Sequence, residues 1–223
     1  RAPRWQPPGL TGPPCVPVCR YVAVGDTAGG FAVYSTQGGE PLASWAPRKP
    51  TRQVVTALGA MPVRRNETVL LVGRADGTAE SVMMSETIVK PDPYAGRSEP
   101  EYSLELREMD LLVHEMGATR GGSVSHIETS RFNAHRFYFL AAGQHVWVFD
   151  DTTGNRTRLD AGNPVLGLKS AGPNLYVTTT AGVSNLKLSG MHLGPMPMEG
   201  LNGSSLVSAG FDAHVNSKLY ALT

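Results

Sequence analysis

Hydrophobic positions along this chain come in short runs interrupted by glycine turns. Four stretches share one pattern: YVAVGDTAGGFAVYS (21–35), VLLVGRADGTAESVMM (69–84), FYFLAAGQHVWVFD (137–150) and LYVTTTAGVSNLKL (175–188). Each is an apolar, β-prone run, a turn containing Gly, and a second apolar run, and each predicts a hairpin. Upstream of three of them lies a further strand candidate, at 52–61, 123–132 and 163–172. The predicted unit is therefore a meander of at least three antiparallel strands. The apolar runs do not alternate strictly, as expected of strands buried on both faces.

The turn glycines Gly29, Gly77, Gly143 and Gly182 mark the repeat. The longest interval contains an insertion of about residues 86–120, and removing about 25 residues of it restores a period of about 40–45 residues, that of propeller blades. After the fourth hairpin, SLVSAGFDAHVNSKLYALT predicts the first two strands of another unit, truncated at residue 223. This gives an all-β chain with about five recognisable repeats over 21–223, preceded by a Pro-rich lead-in at 1–20.

Composition adds the broad class. A hydrophobic fraction of 41% and a charged fraction of 17% fit an ordinary folded domain, and 25 Gly with 17 Pro suit many short strands and turns. The formal net charge of +1 leaves no electrostatic footprint for nucleic acid. No apolar run reaches the length of a membrane-spanning helix.

Two features bear on compartment. Sequons at Asn66, Asn155 and Asn202 all fall in predicted turns, where a glycan disturbs no core. Cys15 and Cys19, in PPCVPVCRY, are too few for a closed zinc site and read as a short-loop disulfide. The alternative is a pair of free thiols in a cytosolic protein. Sequons and disulfide together place the chain in the secretory pathway, on the extracellular or luminal face of a membrane.

Candidate chemistry is sparse. Asp150, Asp151 and His145 lie close in sequence, but adjacent strand residues point to opposite faces, so the two carboxylates cannot share one site within a strand. DDTTGN supplies turn chemistry instead. DTAGG (26–30) and RADG (74–77) lack the ligand density of a calcium loop and open no phosphate-binding helix. The six histidines show no metal-ligand spacing, and no nucleophile elbow is present. Neither a catalytic residue nor a cofactor or metal is expected. The insertion is read either as an outer strand with a long excursion or as a docking arm through Tyr102, Leu104, Leu106, Leu111 and Leu112. Met196 and Met198, in MHLGPMPMEGL, offer flexible side chains for a second contact.

The segments VAVGDTAGGFAVYSTQGGEPLASW, VLLVGRADGTAESV and VWVFDDTTGNRTRL resemble the WD40/YVTN-like β-propeller superfamily in their order of strand, Gly turn, strand and polar turn. The chain departs from the pattern in lacking both the Gly-His pair and the Trp-Asp dipeptide, for which Phe149-Asp150 is the nearest substitute. Residues 182–223 are also similar to the tail of the luminal or extracellular propeller in plant and green-algal membrane-anchored transducin-like proteins. The resemblance implies a β-propeller, about five blades here being one or two short of a usual closed ring such as a seven-bladed one. It implies a non-catalytic protein–protein interaction module, an accessory subunit of a membrane or extracellular complex, anchored only by a segment outside residues 1–223. The rivals are a propeller enzyme or glycan-binding domain acting at a central channel, and a cytosolic scaffold.

Overall fold

The computed structural model describes residues 15–18, 20–47, 53–89, 101–109, 122–195, 208–212 and 218–222. Among these residues there are 18 strands and no helix. Sixteen strands form four sheets, each a four-stranded antiparallel meander in chain order. The first sheet holds β1 (Cys15–Val18), β2 (Tyr21–Gly25), β3 (Phe31–Ser35) and β4 (Ala43–Trp45). The second holds β5 (Val55–Arg64), β6 (Glu67–Arg74), β7 (Ala79–Val89) and β8 (Glu101–Met109). The third holds β9 (Val124–Phe132), β10 (His135–Ala142), β11 (His145–Asp150) and β12 (Asn155–Asp160). The fourth holds β13 (Val165–Ala171), β14 (Asn174–Thr179), β15 (Gly182–Lys187) and β16 (His192–Pro195). A last antiparallel pair joins β17 (Ser208–Asp212) to β18 (Lys218–Leu222). The fold is all-β and propeller-like.

Two compact units divide the chain. One comprises Arg1–Arg74 with Ala79–His114, the other Ala75–Thr78 with Glu115–Thr223. The first unit contains the first two sheets. Strict alternation along β2 puts Tyr21 and Ala23 on a buried face, and β3 adds Phe31 and Val33 to it. These pack with Val55, Leu58, Leu70, Val72, Val82 and Met84 of the second sheet. The β6 run is buried almost throughout because both of its faces are covered, which is why ETVLLVGR shows no alternation. The hairpin between β2 and β3 closes through Asp26, whose Oδ1 accepts the Ala28 and Gly30 amides at 2.8 Å each. Gly29 there has φ 90°, a conformation glycine adopts without steric cost.

The second unit is built the same way. Phe137, Phe139, Ala141, Val146 and Val148 of the third sheet pack with Val165, Leu175, Val177 and Leu186 of the fourth sheet and with Leu188 in its β15–β16 turn. The opposite face of the third sheet, with Tyr138, Leu140 and Trp147, is also buried. One hydrogen bond recurs in both units. The first residue of each later sheet donates its amide to the central hairpin turn of the sheet before it: Val55 to Asp26 O at 3.1 Å, and Val165 to Gly143 O at 2.8 Å. Both valines are buried.

The four hairpins predicted from the sequence are the central strand pairs of the four sheets. The upstream strands expected at 52–61, 123–132 and 163–172 are β5, β9 and β13, while two other flanking segments differ from expectation. Cys15–Val18, within the Pro-rich lead-in, is a strand paired to β2. Of the insertion expected at about 86–120, residues 86–89 end β7 and 101–109 form β8, the fourth strand of that sheet, with Val89 opposite Glu101 and Ser81 opposite Met109.

Candidate functional site

Strand geometry separates the carboxylates of the 145–151 stretch. His145 opens β11 and Asp150 ends it, so they lie about 17 Å apart along the strand at ~3.3 Å per residue. Asp150 Oδ2 meets His135 Nδ1 at 2.8 Å and accepts the Thr153 hydroxyl at 2.7 Å, while its Oδ1 accepts the Thr152 amide at 3.0 Å. Asp151 points elsewhere, pairing with Arg136 at 2.6 Å and lying 3.5 Å from the Tyr138 hydroxyl. Burial works to raise the Asp150 pKa, but the hydrogen bonds from Thr153, His135 and Thr152 outweigh it and hold the carboxyl below its ordinary range. Burial first, and then the Asp151 charge, push the Tyr138 phenol up. This arrangement clamps the turn after β11 to the turn before β10. Both oxygens of Asp150 and Oδ2 of Asp151 have turn or strand partners.

A second polar network, in the first unit, was not legible from sequence. Arg74 ends β6 with a side chain only 5% exposed. Its Nε and Nη2 donate to the Gly29 carbonyl at 3.1 and 3.0 Å, and Nη2 also pairs with Glu80. Trp45 Nε1 donates to the same Glu80 Oε1 at 3.1 Å. At the other end of β7, Glu86 accepts the Tyr21 hydroxyl and pairs with Arg20 at 3.4 Å. In the second unit Glu128 does comparable work, accepting the Ser170 amide at 3.1 Å and its hydroxyl at 2.8 Å. These charged groups tie neighbouring sheets together inside each unit. Arg74 opens RADG, which the sequence marks only as a hairpin turn; the one signal available was that the Arg follows an apolar run.

The expected contact and modification residues are distributed as follows. Leu104 and Leu106 lie on β8, half-buried against the core of the first unit, so their own sheet takes up much of the surface expected to meet a partner. Tyr102 occupies the β8 position opposite Ile88. Leu111, Leu112, Met196, Met198, Asn202 and Cys19 lie outside the described residues, and of Cys15 only the strand position is described. Asn66 is exposed in the turn between β5 and β6, with Nδ2 donating to Glu86 O at 3.2 Å. Asn155 is exposed at the start of β12. Among the described residues no group of three or more His, Cys, Asp or Glu could hold a metal ion, and no helix is long and apolar enough to cross a membrane.

The sheets have a consistent polarity. In the second sheet Asn66 sits at the end where β6 begins, and the chain leaves β8 for residues 110–121 at the opposite end, beside Ser81. Along the eight residues of β6 these ends are about 26 Å apart. In the third sheet Asn155 lies at the end marked by His135 and Asp150, with the 143–144 turn at the other. In the fourth sheet the chain leaves β16 for residues 196–207 opposite Ser184, next to the 180–181 turn.

No protein-family model and no curated protein matches the chain. Among solved structures it is similar to the crystal structure of the computationally designed Ika4 protein, with a TM-score of 0.51 and 17% identity, over 81% of this chain and 94% of that one. The likeness is one of fold, an all-β propeller-like arrangement of antiparallel sheets.

Proposed function

We propose that this chain is a non-catalytic protein–protein interaction module of WD40/YVTN-type propeller architecture, serving an extracellular or luminal complex at a membrane. Rigid sheets display connections at their ends, and the partner contacts the segments that link the fourth strand of one sheet to the first of the next. The observation that carries this reading is the polarity of the sheets. Residues 110–121, with Leu111 and Leu112, and residues 196–207, with Met198, leave their sheets at the end that bears the central hairpin turn. Asn66 and Asn155 lie at the other end of theirs, so glycans there would leave the contact end clear. Use of Asp150, Asp151, Glu80 and Arg74 as structural clamps supports a display role over a chemical one.

The test is the size of the native assembly. A Leu111→Asp/Leu112→Asp chain is expected to migrate as the free protein in native gels while keeping a wild-type circular dichroism spectrum and melting curve. Retention of the full-size assembly by that variant would overturn the proposal.

A further inference from the structure

The two described sequons differ in what they offer a glycosyl-transferring enzyme. Asn155 is exposed, and neither its Nδ2 nor the Thr157 hydroxyl has a hydrogen-bond partner among the described residues; the Asn155 backbone amide alone is engaged, with Thr153 Oγ1 at 3.4 Å. As residues two apart on one strand, Asn155 and Thr157 project from the same face. Along that face exposure falls from Asn155, which is open to solvent, through the half-buried Thr157 to Leu159, which packs on the core, and β12 pairs only with β11 among the described strands. Asn66 is held differently. It occupies a two-residue turn with Arg65, its Nδ2 donates to Glu86 O, its own carbonyl accepts the Glu86 amide at 2.8 Å, and Thr68 is buried at 6% exposure. Thr68 lies on an inner strand, between Pro62 of β5 and Met84 of β7, so the folded second sheet covers the hydroxyl of this sequon.

We propose that, of the two described sequons, Asn155 is the one that carries an N-glycan in the folded chain and that Asn66 stays largely bare. In the transfer, Asn155 Nδ2 attacks the anomeric carbon of an oligosaccharide carried on a lipid diphosphate. The bond from that carbon to the diphosphate oxygen breaks, the C–N bond forms, Nδ2 gives up one proton to the transferase, and the lipid diphosphate leaves. Thr157 supplies the hydroxyl that the acceptor motif requires. The glycan then stands at the end of the third sheet opposite the 143–144 turn.

This inference rests on the secretory reading for its biological setting, and the experiment separates the two. The chain is secreted from eukaryotic cells behind a supplied signal peptide, and site-resolved mass spectrometry after enzymatic deglycosylation reads the occupancy of each asparagine. Asn155 is expected to be occupied in most molecules and Asn66 in a minority. Asn155→Gln and Thr157→Ala should each abolish the Asn155 glycan, and Asn66→Gln should leave total glycan mass nearly unchanged. A bare Asn155, or Asn66 occupied to the same extent, overturns the inference. Bare asparagines in the natively expressed protein, alongside an occupied Asn155 in the secreted one, count against the secretory placement and leave the assignment of the acceptor intact.

Discussion

Arg74 donates two hydrogen bonds to the carbonyl of Gly29, from Nε at 3.1 Å and Nη2 at 3.0 Å, joining the end of β6 to the hairpin turn of the preceding sheet. Because the guanidinium is buried and also pairs with Glu80, removing it strips the Gly29 carbonyl of these donors and leaves the Glu80 carboxylate with the Trp45 indole but without its cation. Arg74→Met is expected to destabilise the fold by about 3 kcal/mol. Arg74→Lys should cost less but remain damaging, since an ammonium lacks the planar fork that serves both partners. Urea unfolding midpoints measure both, and wild-type midpoints for the two variants would show the network to be idle.

Two glycines separate lack of space from backbone strain. A Cβ at Gly30 would overlap the Trp45 backbone carbonyl, although the Gly30 backbone is of a kind other residues adopt. Gly154 has open space around it but φ 73°. Gly30→Ala should cost about 1–3 kcal/mol through forced backbone shifts, and Gly154→Ala about 1 kcal/mol through strain alone. Gly154→Asn should recover part of that loss, because Asn tolerates the left-handed region, whereas no side chain should rescue position 30. Thermal unfolding of the three variants gives the comparison.

The Asp150 clamp predicts an acid limb in stability. The folded-state pKa lies below the ordinary 3.8, so the unfolded chain takes up this proton first as pH falls. The contribution is therefore present in full above 3.8 and is lost as pH drops through the folded value. Asp150→Asn should be less stable at neutral pH and lose less on further acidification. Urea titrations at pH 7 and pH 3 measure the difference; an unchanged acid slope would contradict it.

His126 predicts a second, higher window. Burial lowers its pKa from 6.5 in the folded chain, so the folded state binds fewer protons just below that pH. Stability from the neutral ring is fully present above 6.5 and declines as pH falls from there to the folded value, where it levels off. His126→Gln should flatten the stability profile over that interval and leave the Asp150 limb in place. A profile unchanged between pH 7 and pH 5 would contradict this.

The central strands were readable from sequence because they are buried on both faces and end in glycine turns. FYFLAA and HVWVFD are apolar whatever their register, and Gly143 marks the turn between them. Of the outer strands, β5, β9 and β13 were readable as the candidates at 52–61, 123–132 and 163–172, whereas β1, β4, β12 and β16 were not, since runs so short or so polar carry little strand signal. In β12, NRTRLD is mostly polar, and β4 has three residues. The β8 segment looked like an insertion because the long stretch before it breaks the repeat. The clamp at Asp150 was legible as turn chemistry through DDTTGN, but His135 as its partner was not, since that contact depends on the β10–β11 register. Arg74 was hidden for a different reason: a buried guanidinium looks identical to an exposed one until the Gly29 carbonyl is placed beside it.

The measurement closest to the central claim is site-specific photo-crosslinking in the native assembly, with a photoreactive residue placed singly at positions 111, 196 and 65. Position 65 adjoins Asn66 and is exposed, at the end of the second sheet away from the proposed contact. The account predicts adducts to another protein from 111 and 196, and none from 65. Adducts from 65 alone, or none from 111 and 196 in an assembly that remains intact, would contradict it.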